Sequence, residues 1–207
     1  MNEARPAPLR LAVVTGSTRP RRRNAMVVEW VLERARAHFG EAPVEVDLVD
    51  LAEIDLPLLD EPIPAMIGDY RHEHTRRWSE LINSYDGFVF VTPEYNHSVP
   101  AALKNAIDYL FAEWNDKAAG FVSFGVEGGT RAVEHLRLVL AEMKVACVRS
   151  QVSLRLFTDF EIDDVTQPGR FTPAAHQEQI LNRMLDEVVS WASVLKTLRA
   201  NRAVPHR

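Results

Sequence analysis

The chain has one cysteine, Cys147, in 207 residues. That excludes an internal disulfide and any cysteine-built zinc or iron–sulfur site within one subunit. Cys147 lies in the apolar run Val145-Ala146-Cys147-Val148, which suits a buried small hydrophobe better than a nucleophile. No apolar run approaches the ~20 residues a membrane span needs, so no membrane insertion is expected. The first residues, MNEARPAPLR, lack the apolar segment of a signal peptide, and a cytoplasmic protein is expected. Basic charge is not in surplus either: 24 Lys and Arg stand against 29 Asp and Glu. Nucleic-acid binders need a basic face, so no nucleic-acid partner is expected. The glycine patterns GxGxxG and GxxxxGK[ST] are both missing. Asp47, Asp50, Asp55 and Asp60 keep no ligand spacing and suit a solvated face, while His72 and His74, two apart on an expected helix, should point to different faces. No metal site is expected. No repeat or linker divides the chain, which implies a single domain over 1–207 with flexible tails at 1–8 and 200–207.

What is present is an alternation. Apolar runs at Leu9–Thr15, Val44–Val49, Phe88–Val91, Lys117–Phe124 and Val145–Leu154 suit strands. Helical spacing marks Ala25–His38, Tyr70–Tyr85, Pro100–Trp114 and Ala132–Met143, and a last helix is expected with Thr172 as N-cap and Pro173 in its first turn. Asp50 to Pro64 suggests an extended surface loop, and Phe157 to Phe171 a long connection serving as a lid or subunit contact. This alternation implies an α/β protein with three layers: a five-stranded parallel sheet and helices on both faces. By analogy with flavodoxin-like sheets the order is 2-1-3-4-5, with the switch point between the first and third strands.

Three loops at the carboxyl ends of strands carry the chemistry. The first is Gly16-Ser17-Thr18-Arg19-Pro20-Arg21-Arg22-Arg23-Asn24. Its hydroxyls and arginines lead into a helix N-terminus, which favours an anion. With one glycine it suits a single terminal phosphate, such as that of FMN, better than a pyrophosphate. The second is Thr92-Pro93-Glu94-Tyr95-Asn96-His97-Ser98-Val99, a polar interruption between a buried strand and a helix. The third, Gly125-Val126-Glu127-Gly128-Gly129, has three glycines in five positions, a pattern that lets backbone approach a flat ligand.

Gly16-Ser17-x-Arg19, Pro93-Glu94-Tyr95-Asn96 and Pro100-x-x-Leu103-Lys104-Asn105-Ala106-Ile107-Asp108 together resemble the NADPH-dependent FMN reductase family, which includes flavodoxin-like quinone, azo and chromate reductases. The resemblance spans Leu9 to Leu154. It implies that Ser17, Arg19 and Asn24 bind the FMN phosphate, with Arg22 in the same basic loop. Pro93, Glu94, Tyr95 and Asn96 would lie along the ribityl chain and ring, with Tyr95 packed on the ring and the N–H groups of 94–96 near its N1 and O2. Ser123, Gly125, Gly128 and Gly129 would contact its far side. The chain departs from the family in its Arg21-Arg22-Arg23 run, where a serine is common, and in Val126-Glu127 after Gly125.

The implied activity is hydride transfer from NADPH or NADH to FMN N5, then reduction of a small-molecule acceptor such as a quinone, azo compound or free flavin. Arg131 and the basic first loop favour NADPH. No catalytic side chain is assigned, His97 included. The resemblance also implies a homodimer or homotetramer, with the apolar face of Pro100–Trp114 as the expected contact. Two other readings stand beside it: a flavodoxin-type FMN electron carrier and a biosynthetic flavoenzyme on the same fold.

Overall fold

The computed structural model describes residues 7–202. In chain order the elements are β1 (Leu9–Thr15), α1 (Asn24–Phe39), β2 (Val44–Asp50), α2 (Leu51–Ile54), α3 (Glu73–Asn83), β3 (Gly87–Pro93), α4 (Ala101–Asp108), β4 (Ala118–Gly125), α5 (Thr130–Glu142), β5 (Ala146–Arg155), β6 (Phe160–Glu161), β7 (Arg170–Phe171) and α6 (Ala175–Arg202). β1 to β5 form one parallel sheet in the order β2-β1-β3-β4-β5, the order expected.

Side chains of a strand alternate between its two faces, so each central strand feeds two cores. Leu11, Val13, Val89 and Val91 pack with α1 (Val27, Val31, Ala35) and α6 (Leu181, Met184, Leu185, Val188). Ala12, Val14, Phe88 and Phe90 pack with α3 (Trp78, Ile82), α4 (Leu103, Ile107) and α5 (Val133, Leu136). Burial on both faces explains why these strands are continuous apolar runs.

Several local expectations change. The connection after β2 begins with α2, whose four residues are too few to show a periodic pattern; Asp50 Oδ1 accepts from Ala52 N at 3.0 Å and caps it. The helix expected over Pro100–Trp114 ends at Asp108. Tyr109, Leu110 and Trp114 then turn into the chain's own core, at 0 %, 0 % and 1 % exposure. The Tyr109 hydroxyl lies 2.9 Å from Asp60 Oδ1, and Trp114 Nε1 donates to Ile107 O at 3.2 Å. The apolar face assigned to a subunit contact is therefore already covered. His72 precedes α3 in an extended conformation, so helical spacing does not govern it, and its ring stacks on that of His74 with centroids 5.2 Å apart.

The long connection from Phe157 folds back as the β6–β7 hairpin. Thr172 is not the cap of α6; its N–H closes the hairpin on Asp159 O at 2.9 Å, and Gln177 Oε1 instead accepts from Ala174 N at 2.7 Å at the helix start. Residues 200–202, expected in a tail, continue α6, where Arg199 and Arg202 hold Asp86 and Asp116. The rest of the expected tails, at 1–6 and 203–207, lies outside the described residues. At the other end of β4, Lys117 is buried and donates from Nζ to Ile82 O at 2.7 Å, and burial pushes its ammonium down to about 7. Cys147 is half-buried, and burial pushes its thiol up to about 11.

Candidate functional site

Because the five strands are parallel, the loops after β1, β3 and β4 leave the sheet at one end, beside the switch from β1 to β3. Gly16 sets the first loop against β3. Its N–H donates to Val91 O at 2.8 Å, and a Cβ there would stand 3.0 Å from Val91 O and 3.1 Å from Leu103 Cδ2. Close approach, rather than an unusual φ, is what requires glycine. Ser17 follows, buried, with its hydroxyl 3.0 Å from the Tyr95 hydroxyl.

The four arginines of this loop divide. Arg22 is ion-paired with Asp50, which is thereby half-buried and not on the solvated face expected of it. Arg23 donates to the hairpin carbonyls of Gln167 at 2.7 Å and Pro168 at 2.9 Å. The Arg19 N–H donates to Ser17 Oγ at 3.4 Å, while the guanidinium groups of Arg19 and Arg21 have no acceptor among the described residues. Two further groups lack partners there: Arg22 Nε and the amide of Asn24, which is fully buried at the start of α1.

The loop after β3 is a tight hairpin. Tyr95 N donates to Ser98 O at 2.8 Å and Ser98 N to Tyr95 O at 3.0 Å, while Asn96 and His97 have φ of 49° and 67°. This is the pattern of a two-residue type I′ turn, in which the second position is usually glycine. Of the N–H groups expected near an anionic ring, that of Glu94 goes to Phe124 O and that of Tyr95 to Ser98 O. Only the N–H of Asn96 is left without an acceptor among the described residues. The Glu94 carboxylate accepts from Arg131 N at 3.1 Å and from the Arg131 guanidinium at 3.0 Å.

After β4, Gly128 and Gly129 have φ of 79° and 73°. A Cβ on Gly129 would meet Ser123 Cβ at 2.9 Å, and one on Gly128 would meet Ser153 Cβ at 3.1 Å. The glycines thus allow a tight turn packed on β4 and β5. Ser123 is fully buried and donates to Gly128 O at 2.7 Å, so it shapes the turn from beneath.

A cavity of about 110 Å³ gathers Ser17, Arg19 and Arg22 from the first loop, Pro93, Glu94 and Tyr95 from the second, and Gly125 from the third. Asn24, Asn96, Ser123, Gly128 and Gly129 do not line it. Arg23, Phe124 and Leu156 do, and sequence reasoning passed over the last two because nothing polar marks them. A wider groove of about 590 Å³ lies between α1 and β2, but it is floored by Val28, Leu32 and Leu48 and holds none of the expected site residues. The smaller cavity is the better candidate, since it joins the three loops.

These loops and their geometry place the chain in a class. Residues 9–159 match the family model described as NADPH-dependent FMN reductase, and the chain belongs to that family of oxidoreductases. It is 34% identical over 202 residues to an NAD(P)H-dependent FMN reductase of Saccharomyces cerevisiae, covering 92% of this chain and 99% of that protein. To an NAD(P)H-dependent FMN reductase of Schizosaccharomyces pombe it is 37% identical over 162 residues, 77% of this chain and 80% of the relative. A quinone reductase of Pseudomonas putida is 31% identical over 207 residues, covering 94% and 97%. Among solved structures, the flavoenzyme NAD(P)H:acceptor oxidoreductase of Paracoccus denitrificans aligns with a TM-score of 0.63 at 23% identity, over 89% of this chain and 97% of that one. That likeness supports the flavodoxin-like fold. No helix among the described residues is long and apolar enough to cross a membrane.

Proposed function

We propose that this chain is a single domain that binds FMN and passes electrons from NADPH or NADH to a small-molecule acceptor: a quinone, an azo compound or free flavin. The observation that carries the reading is the convergence of the loops after β1, β3 and β4 on one cavity, in the region matched by the family. The residues suit the cofactor. Ser17 and the uncommitted Arg19 stand ahead of the α1 N-terminus, a favourable place for a phosphate. Arg22 Nε and the Asn24 amide, buried without partners, are groups that a bound anion and its water would satisfy. Pro93, Glu94, Tyr95 and Asn96 would follow the ribityl chain and ring, with Gly125 and the Gly128-Gly129 turn at its far side.

Bound FMN supplies the redox chemistry, taking hydride from the nicotinamide and delivering electrons to the acceptor. The protein's part is to hold, orient and tune. Asn96 offers the free N–H of the second loop to developing negative charge. His97, exposed at the tip of the turn, is given no role.

The test is the absorption spectrum after FMN addition and desalting, followed by NAD(P)H oxidation with a quinone. A retained band near ~450 nm with turnover supports the reading. A retained band without turnover would leave an electron carrier, and loss of the flavin would sink the cofactor assignment. We also propose a cytoplasmic homodimer or homotetramer. In support, the hydrogen-bonded loop after α2 exposes Leu58, Met66 and Ile67 at 82 %, 67 % and 66 %. A monomeric mass at micromolar concentration would refute the assembly.

A further inference from the structure

Helix α5 has no cap of its own. The residue before it is Gly129, in the left-handed region and without a side chain. Its first N–H groups need an outside acceptor. Glu94 supplies one from the loop after β3, 37 residues away. Its Oε2 accepts from Arg131 N at 3.1 Å and Ala132 N at 3.4 Å, and its Oε1 from the Arg131 guanidinium at 3.0 Å. The main chain is joined as well: Glu94 N donates to Phe124 O at 2.9 Å, and a Cβ on Gly125 would stand 3.2 Å from Glu94 Cβ. The carboxylate is 10 % exposed and Glu94 lines the cavity, so it places a negative charge beside the positive end of a helix at the wall of the site.

We propose that Glu94 is a positioning residue with two effects: it locks the loops after β3 and β4 into one wall, and its charge cancels the positive end of α5 and of Arg131 beside the flavin. The second effect rests on the FMN reading above. Reduced flavin is anionic, so positive potential near it favours reduction. Glu94 therefore holds the reduction potential of the bound cofactor down.

Two measurements test this on the whole protein. In cofactor-free protein, amide hydrogen exchange across residues 126–132 is expected to quicken in Glu94→Ala. With FMN bound, dye-coupled titration is expected to show a higher midpoint potential in Glu94→Gln than in the wild type, and a return toward wild type when Arg131→Ala is added. FMN Kd should rise by less than about threefold in Glu94→Ala, because the wall loosens but no bond to the cofactor is lost. A merely structural role would change exchange and Kd and leave the potential in place. Unchanged exchange overturns the lock, and an unchanged potential in Glu94→Gln overturns the electrostatic effect. Should Glu94→Ala fail to fold, the near-isosteric Glu94→Gln carries both measurements. A wild type that retains no FMN would remove the cofactor reading and the electrostatic effect with it, while the exchange result still judges the lock.

Discussion

The loops after β1 and β3 meet at one cavity, yet they spend their polar groups differently. The first keeps donors in hand: the guanidinium groups of Arg19 and Arg21 have no acceptor among the described residues, and Arg22 Nε is unpaired. The second has committed almost everything, with the Glu94 carboxylate on α5, the Glu94 and Tyr95 N–H groups on main-chain carbonyls, and the Tyr95 hydroxyl on Ser17. A loop with unspent cations suits the capture of an anion. A loop whose bonds are mostly made suits holding a shape. For the function proposed above, the comparison divides labour, with affinity on the first loop and geometry on the second.

The largest expected effect tests the one committed arginine pair of the first loop. Asp50→Ala leaves the Arg22 charge half-buried and uncaps α2, and should lower unfolding stability by about 3 kcal/mol in urea titrations. FMN affinity should stay within about threefold, because the freed Arg22 still faces the cavity. Next is Arg19→Ala, which should leave stability unchanged and weaken FMN by roughly tenfold to a hundredfold in fluorescence titration. Riboflavin, lacking the phosphate, should bind wild type and variant alike. Equal losses for both ligands would break the division of labour. His97→Gly then sharpens it from the other side. Relieving the positive φ at the turn should stabilise the protein by about 1 kcal/mol with FMN affinity unaltered.

The smallest signal is a slope measured far from both loops. Lys117 keeps its proton up to about 10.5 when unfolded but, buried, loses it near 7. Within that window the unfolded chain binds more protons, so stability rises with pH from 7 to 8, and the contribution is flat below about 7. Lys117→Met should abolish this part of the slope. A slope that persists unchanged would assign it to another group.

The alternation of strands and helices was legible because it is local, whereas the order of the sheet came only by analogy with flavodoxin-like folds. Each buried strand is a continuous apolar run, and each site loop is bounded by a strand end and a helix start within ten residues. The end of α4 was not legible, since Tyr109 to Trp114 continues the apolar pattern, and only the distant Pro57 to Asp60 segment draws Tyr109 away from the helix. Asp50 resembled its acidic neighbours because nothing nearby in sequence names Arg22 as its partner. The same holds for Glu94 on α5 and Arg23 on the hairpin. Glycines 128 and 129 show a subtler limit. Their number was plain, but that Ser123 and Ser153 stand where their side chains would be is something only folding brings about.

The grip of Arg23 on the β6–β7 hairpin has a consequence for the order in which the protein is made. The carbonyls it holds belong to residues 144 and 145 positions later in the chain. At ribosomal speeds the first loop waits on the order of ten seconds for them. The first loop thus leaves the ribosome early and is finished late. The cofactor pocket proposed above is completed only once residues 167 and 168 have emerged, and cofactor loading is expected to follow them.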